Sequence, residues 1–257
     1  MKANISVKHS GHIGDILYSL NTVKSIADKY GKVDFYIGFG VHNQTPNHPS
    51  GKFTMTDKAF AYLLPLLESL PYINKVYKHN GQVIDYDLDT FRSKGYSLHS
   101  LDLRKWYRYE FTEFEIDLTH KLIESEKKFE YLMDAVVVNL TKRYRNTQIN
   151  YRLLEKLNRP IYFVGLDDEH VLFQLYQIEH KRIVVKDALH MSQILNSCYL
   201  FIGNQSSTFA LAEQMKINRA LEVHNICPNV IVSGANGIDY MTNNGLQYII
   251  NKHGRNK

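Results

Sequence analysis

Short apolar runs alternate with amphipathic stretches through the second half of the chain. AVVVNL at 135–140, IYFVG at 161–165 and CYLFIG at 198–203 are each followed by a segment of helical periodicity. RIVV at 182–185, ALEVH at 220–224 and NVIVS at 229–233 have the composition of further strands. Short strands that alternate with helices of about ten residues predict βαβ units around a parallel sheet buried on both faces. The predicted helices are NTQINYRLLEKLN at 146–158, DDEHVLFQLYQIE at 167–179 with Asp167 or Asp168 as cap, DALHMSQILNS at 187–197 and FALAEQMK at 209–216.

The first half begins with the same alternation. NISVKHS at 4–10 and KVDFYIGF at 32–39 read as strands on either side of a helix that Gly31 ends. A helix TDKAFAYLLPLLESL at 56–70 and candidate strands NKVYKH at 74–79 and QVIDYDLD at 82–89 follow. The pattern therefore predicts an α/β protein of two Rossmann-like doubly wound domains, residues 1–133 and 134–257, in a compact version.

Periodicity fades between Phe91 and Lys128, where aromatic residues are frequent. Tyr107, Tyr109 and Phe111 are spaced two apart, which would place them on one face of a strand. Core packing or a domain contact is favoured over a sugar-stacking platform for these rings and for Trp106.

Composition excludes some classes of protein. The 257 residues are 44% hydrophobic and 22% charged, which is typical of a globular chain and excludes whole-chain disorder. No run reaches the roughly 18 apolar residues of a membrane span, and the start lacks the apolar core of a secretory signal. We therefore expect a cytoplasmic protein with at most peripheral membrane contact. The two cysteines, Cys198 and Cys227, have neither disulfide-framework nor metal-type spacing and are interpreted as structural.

The net charge of +5 is unevenly distributed. From Asp134 onward, 14 Lys and Arg stand against 10 Asp and Glu, so 14 − 10 = +4 of it lies in the second half. Because no basic stripe with interleaved aromatics is present, a small anionic ligand is favoured over nucleic acid.

The loop after the first predicted strand contains GHIGD, in which Gly11 and Gly14 permit close backbone approach and Asp15 opens a helix. Asp15 is either a first-turn acid that the helix dipole favours or a functional carboxylate. The third glycine of GxGxxG is missing, and no Gly-Lys-Ser/Thr of a P-loop follows. The loop is therefore not a nucleotide fingerprint of either kind.

Three loops in the second half are also candidates, because ligands bind at the carboxyl ends of parallel strands. TKRYRN places Arg143 and Arg145 where they could hold phosphate oxygens, although a solvated basic loop has the same composition. Gly165 precedes LDDEH, whose acids suit a helix cap or a sugar hydroxyl. GNQSST precedes a helix, so its backbone N–H groups and hydroxyls would form an anion site without a lysine.

GHIGDILYSLNTVKSI and DALHMSQILNSCYLFIGNQSSTFALAEQMKINRALEV together resemble glycosyltransferase family 9, which contains the ADP-heptose lipopolysaccharide heptosyltransferases. The resemblance covers residues 5–24 and 136–223 and leaves the aromatic middle unmatched. It implies a GT-B arrangement, in which two Rossmann-like domains face one another across a cleft. It also implies metal-independent, inverting transfer of a hexosyl or heptosyl group from a nucleotide sugar to a glycan or glycolipid acceptor, as in lipopolysaccharide biosynthesis, without a cofactor.

Site residues follow from the same resemblance. Asp15 matches the general base, and the loop with Gly11, His12 and Gly14 lies on the acceptor side. The donor-binding positions are Arg143, Arg145, Gly165, Gly203, Asn204, Gln205, Ser206, Ser207 and, at another strand end, Glu222.

The chain departs from the family at the second loop, where the family usually has an acidic residue and a histidine and this chain has Gln205 and Ala210. The donor sugar therefore stays open. Two other interpretations remain: a non-catalytic nucleotide- or glycan-binding relic of a GT-B enzyme, and a nucleotide-sugar 2-epimerase.

Overall fold

The structure is a computed structural model that describes residues 4–44, 48–96, 99 and 101–255. The chain divides into two compact units, residues 1–118 with 187–189 and residues 119–186 with 190–257. Residues 119–133, which the sequence assigned to the first domain, belong to the second unit. The N–H of Leu122 donates to the carbonyl of Gln214 at 2.9 Å, and that of Phe129 donates to Ser197 Oγ at 2.8 Å.

The first unit contains a four-stranded parallel sheet. Its strands are β1 (Ile5–His9), β2 (Val33–Ile37), β3 (Ile73–Lys78) and β4 (Tyr86–Asp87), in the order β3-β2-β1-β4. Its helices are α1 (Ile13–Tyr30), α2 (Asp57–Glu68) and α3 (Leu103–Glu110), with a 3-10 helix at Thr90–Lys94. The strands and the first two helices were predicted from the sequence, although β4 keeps only two residues of its predicted range.

Helix α1 shows why the sequence prediction succeeds here. Ile16, Leu20 and Val23 recur at helical spacing and are completely buried, so one stripe of the helix packs into the core. The helix ends at Gly31, whose φ of 96° a residue with a side chain rarely adopts.

The second unit contains a six-stranded parallel sheet in the order β10-β9-β8-β5-β6-β7. The strands are β5 (Val136–Asn139), β6 (Ile161–Phe163), β7 (Lys181–Arg182), β8 (Leu200–Asn204), β9 (Arg219–Glu222) and β10 (Gly237–Tyr240). The helices are α4 (Asp167–Gln174), α5 (Ala188–Ser197), α6 (Ser207–Met215) and α7 (Asn243–His253), with 3-10 helices at Glu130–Leu132 and Tyr151–Leu157. This is the doubly wound order that the alternating pattern predicted.

Several local predictions are wrong. The aromatic stretch forms helix α3, so Tyr107 is buried whereas Tyr109 is exposed; residues 97, 98 and 100 of that stretch lie outside the described residues. Residues 229–233 form no strand, because the carbonyl of Ser233 accepts from Arg219 and Lys216 side chains instead of a neighbouring strand.

The helix α4 is not capped by an aspartate. Leu166 occupies the cap position, and the carboxylate of Glu169 accepts its N–H at 2.9 Å. Asp167 and Asp168 lie in the first turn, where the helix dipole favours their charge.

Among the described residues, no helix is both long and apolar enough to cross a lipid bilayer.

A buried ion pair joins α6 to β9. Glu213 Oε2 lies 2.7 Å from Arg219 Nε, and neither side chain is exposed. Lys216 Nζ contacts the other carboxylate oxygen at 2.6 Å, and Arg219 also donates to the carbonyls of Ala235 and Ser233. These bonds attach the irregular segment before β10 to the core of the second unit.

Replacing Glu213 by Leu should therefore destabilise the protein by about 3–5 kcal/mol, because Arg219 and Lys216 would be left buried without a counter-charge. Urea unfolding at neutral pH measures the change. The control is Glu124→Leu, which removes an exposed carboxylate 3.4 Å from Lys121 and should cost less than about 0.5 kcal/mol. Equal costs for the two variants would contradict the assignment.

Candidate functional site

Each sheet contains a point where the strand order reverses. In the first unit the chain moves from β1 to β2 and β3 on one side, and β4 lies on the other side of β1. In the second unit β5 and β8 are the corresponding neighbours. Ligands of doubly wound sheets bind at the carboxyl ends of such strands. We call residues 9–15 and 88–92 the first edge, and residues 140–146 and 203–208 the second edge.

At the first edge, Asp15 lies in the first turn of α1. Its Oδ2 accepts the N–H of His12 at 3.2 Å and a hydrogen bond from Arg92 Nη2 at 2.9 Å. The side chain is 23% exposed, so the carboxylate is partly accessible from outside. The acid is therefore both a first-turn partner of the helix and one half of an ion pair.

Charge partners decide the pKa of Asp15. Burial alone would raise this pKa, but the charge of Arg92 and the hydrogen bond that it donates hold it below the ordinary value of 3.8. Asp15 is consequently ionised at neutral pH.

The glycine-containing loop of the first edge is tightly packed. A Cβ on Gly11 would lie 2.7 Å from Asp15 Oδ2 and 2.6 Å from His9 Cε1, so only glycine fits. The ring of His12 stacks on that of His48, with centroids 3.9 Å apart. Gly14 lies in the first turn of α1, next to Asp15.

Sequence reasoning missed most of the partners of Asp15. Arg92 and Asp89 follow β4, and Tyr107 lies on α3, in the stretch where periodicity fades. Asp89 lies 3.4 Å from both Lys8 Nζ and Arg92 Nε. The only available signal was the position of Asp89 at the end of the candidate strand 82–89 and of Arg92 shortly after it.

At the second edge, helix α6 begins at Ser207. Ser206 is its N-cap, with Oγ accepting the N–H of Phe209 at 3.1 Å and donating to Asn139 Oδ1 at 2.9 Å. The N–H groups of Ser207 and Thr208 have no acceptor within the part of the chain that the structure describes. These two N–H groups and the helix dipole make this end of α6 suited to an anion.

Asn204 and Gly203 connect the two loops of the second edge. Asn204 Oδ1 accepts the N–H of Thr141 at 2.9 Å, and its Nδ2 donates to Thr141 Oγ1 at 3.0 Å. A Cβ on Gly203 would lie 2.8 Å from the Phe201 ring and 3.2 Å from the carbonyl oxygen of Asn139. Asn204, which is completely buried, therefore holds the two loops together, and Gly203 allows them to pack closely.

Gln205 is buried as well and holds a neighbouring loop. Its Nε2 donates to the carbonyl of Cys227 at 2.9 Å and to Asn229 Oδ1 at 2.6 Å, and its Oε1 accepts the N–H of His224 at 2.6 Å. The amide thus fixes residues 224–229 beside the strand end.

The two predicted arginines have different surroundings. Arg145 Nε lies 3.0 Å from the buried carboxylate of Glu222, which also accepts from the Tyr151 hydroxyl. Arg143 lies over the ring of Tyr144, 5.5 Å from its centroid, and has no carboxylate within 4.0 Å among the described residues. The predicted donor residues Arg145 and Glu222 thus pair with one another. Gly165 follows β6, in the same sheet.

Within the described residues, no group of three or more His, Cys, Asp or Glu side chains is arranged to hold a metal ion. The metal independence of the expected reaction stays a prediction.

The Asp15–Arg92 ion pair should make stability depend on pH. A folded-state pKa below 3.8 stabilises the fold above that pH, and this contribution is lost as pH falls through the lower folded value. Asp15→Asn should therefore cost about 1.5 kcal/mol or more at pH 7 and progressively less as the pH falls through the folded-state pKa of Asp15, as measured by urea unfolding across pH. Asp28→Asn, which removes an exposed partner of Lys24, is the control. A cost for Asp15→Asn that is independent of pH would contradict the pairing.

No protein-family model matches the chain, and no curated protein matches it in sequence. Solved structures match it in fold. A family 9 glycosyltransferase from Veillonella parvula has a TM-score of 0.62 at 12% identity, covering 98% of this chain and 88% of its own. E. coli heptosyltransferase WaaC with ADP-2-deoxy-2-fluoro heptose gives 0.56 at 10%, covering 98% and 100%. E. coli ADP-heptose LPS heptosyltransferase II gives 0.57 at 10%, covering 97% and 99%. The chain therefore shares the fold of these glycosyltransferases.

Proposed function

We propose that the protein is an inverting glycosyltransferase that moves a sugar from a nucleotide-sugar donor to a glycan or glycolipid acceptor. The proposal includes the GT-B arrangement and the absence of a metal. Three structures with this fold are glycosyltransferases, and one of them was solved with an ADP-sugar analogue. The transferred sugar is a heptose or a hexose in this proposal, in line with the sequence resemblance.

The observation that carries the proposal is the free N-terminus of α6 at the second edge. Two N–H groups without an acceptor among the described residues, with the Ser207 and Thr208 hydroxyls, lie where the strand order reverses. Donor pyrophosphate gains negative charge as the sugar departs, and oriented N–H groups stabilise such charge. Arg143 has no carboxylate within 4.0 Å among the described residues, and its backbone carbonyl accepts from Asn204 Nδ2 at the end of β8. In this proposal its guanidinium supplies positive charge to the bound pyrophosphate.

Asp15 acts as the general base at the first edge. The acceptor hydroxyl oxygen attacks the anomeric carbon and forms the new C–O bond, while the bond from that carbon to the pyrophosphate oxygen breaks. The nucleoside diphosphate leaves with the electron pair, and the hydroxyl proton passes to Asp15. Asp15 is ionised beforehand, and it accepts a proton that becomes more acidic as the new bond forms.

Asp15→Asn should therefore reduce transfer about 10²- to 10⁴-fold, because the amide cannot accept the proton. The assay incubates the protein with a panel of nucleotide sugars and glycan acceptors and detects the product by mass spectrometry. Asp28→Asn, at the other end of α1, should retain activity. Saturable donor binding without transfer or donor hydrolysis would identify a non-catalytic binding protein, and released nucleotide with an altered free sugar would identify an epimerase.

Ser207→Pro tests the second edge. Proline is tolerated at the first position of a helix and removes one of the two free N–H groups, so affinity for ADP should fall about tenfold or more. Asp57→Pro makes the same change at the start of α2, which also has an N-cap hydroxyl that accepts the N–H of the third helical residue. Calorimetry should show the loss for Ser207→Pro alone; an equal effect of both variants, or of neither, would contradict the assignment.

A further inference from the structure

Four elements bring titratable or charged side chains to Asp15. His9 is the last residue of β1, and His12 lies in the loop that follows; Asp89 and Arg92 come after β4, and Tyr107 lies on α3. Lys8 completes the set through its contact with Asp89 at 3.4 Å. Of this group, only Asp15, as general base, and His12, in the acceptor-side loop, were assigned roles from the sequence resemblance.

The backbone fixes the tautomer of His9. The N–H of Gly11 lies 2.9 Å from His9 Nδ1, and because an amide N–H can only donate, Nδ1 is an acceptor. Burial lowers the pKa of His9, which favours the neutral ring. The single ring proton is therefore on Nε2, and the lone pair of Nδ1 accepts the Gly11 N–H, so His9 has no free lone pair to act as a base.

His9 instead positions Tyr107. The Nε2–H donates to the Tyr107 hydroxyl oxygen at 2.7 Å, in a fully buried contact. Burial raises the pKa of Tyr107 well above its ordinary value, and the charge of Arg92 opposes this rise. The phenol oxygen accepts the hydrogen bond from His9.

Arg92 contacts the carboxylate of Asp15 directly. Its Nη2 donates to Asp15 Oδ2 at 2.9 Å, and its Nε lies 3.4 Å from Asp89. The planar guanidinium holds its donors in a fixed geometry, so anchoring one side of it orients the other. Contacts therefore run from Gly11 through His9 to Tyr107, and Arg92 donates to the same oxygen of Asp15 that the His12 N–H also contacts.

We infer that Arg92, which contacts both Asp15 and Asp89, is the positioning residue that orients the carboxylate of Asp15 and keeps it charged. This inference deepens the proposed function and rests on it for its catalytic meaning. Asp89 faces Arg92 and competes with Asp15 for it, whereas His12 adds a second donor to the Asp15 oxygen. Arg92 thus acts through Asp15 and need not touch the substrate.

The test measures the pKa of Asp15 directly, by NMR titration of protein labelled with ¹³C at the aspartate carboxyl carbons. Arg92→Leu should raise this pKa to 3.8 or above, and each unit of the rise corresponds to a tenfold gain in proton affinity. Arg92→Lys keeps a charge within reach and should leave the pKa below 3.8. Arg108→Leu, which removes an exposed arginine of α3, should change nothing.

Arg92→Gln gives a second route to the same answer. It removes the charge of Arg92 but keeps a polar side chain that can donate to Asp15, so the pKa of Asp15 should rise by part of the Arg92→Leu shift. This variant decides the question if circular dichroism shows that Arg92→Leu does not fold. An Asp15 pKa that is unchanged in every folded variant among Arg92→Leu and Arg92→Gln overturns the inference.

The transfer assay separates this inference from the proposed function. The acid limb of kcat/KM against pH should move upward in Arg92→Leu together with the Asp15 pKa, whereas a purely structural role would lower kcat/KM equally at every pH. If the NMR shift is found but the wild-type protein transfers no sugar, the positioning role stands and the proposed function fails. If transfer occurs and neither the pKa nor the acid limb moves, the positioning role fails.

Discussion

The reversal of strand order in each parallel sheet is the constraint on which the two candidate edges depend. Beside β1 and beside β5 the chain departs in opposite directions, so the loops at these strand ends diverge and leave backbone groups unpaired. Helices α1 and α6 follow β1 and β8, and each therefore presents its N-terminus at the carboxyl end of its sheet. The fold thus creates two polar helix N-termini, and the side chains around each one determine which charged group it can hold.

The N-termini of α1 and α6 differ in whether the protein itself places a negative charge there. At α1 the protein supplies its own anion, Asp15, and then pairs it with Arg92, so the positive end of the helix is already occupied. At α6 the cap Ser206 is neutral, and two N–H groups have no acceptor in the described part of the chain. One edge is consequently suited to hold a charged carboxylate, and the other is suited to receive an anion from outside.

Buried polar contacts keep these edges in shape. Asn204 joins the loops after β5 and β8, Gln205 holds residues 224–229, and Glu222 pairs with Arg145. Each of these polar groups is removed from water, so the loss of its partner would lower the stability of the fold. Arg145, which the sequence assigned to phosphate together with Arg143, therefore has a structural partner, whereas Arg143 has no carboxylate within 4.0 Å among the described residues.

The sequence by itself determined the alternation of strands and helices, because apolar periodicity depends only on neighbours along the chain. It also determined that Asp15 and GNQSST would open helices after buried strands. It failed where tertiary contacts outweigh local pattern: residues 103–110 are helical, and residues 229–233 are held by side chains of α6 and β9. Only the tertiary structure decided that Arg92 pairs with Asp15, 77 positions away, and that Arg145 pairs with Glu222. Strand order brings these partners together, and no spacing within the chain encodes it.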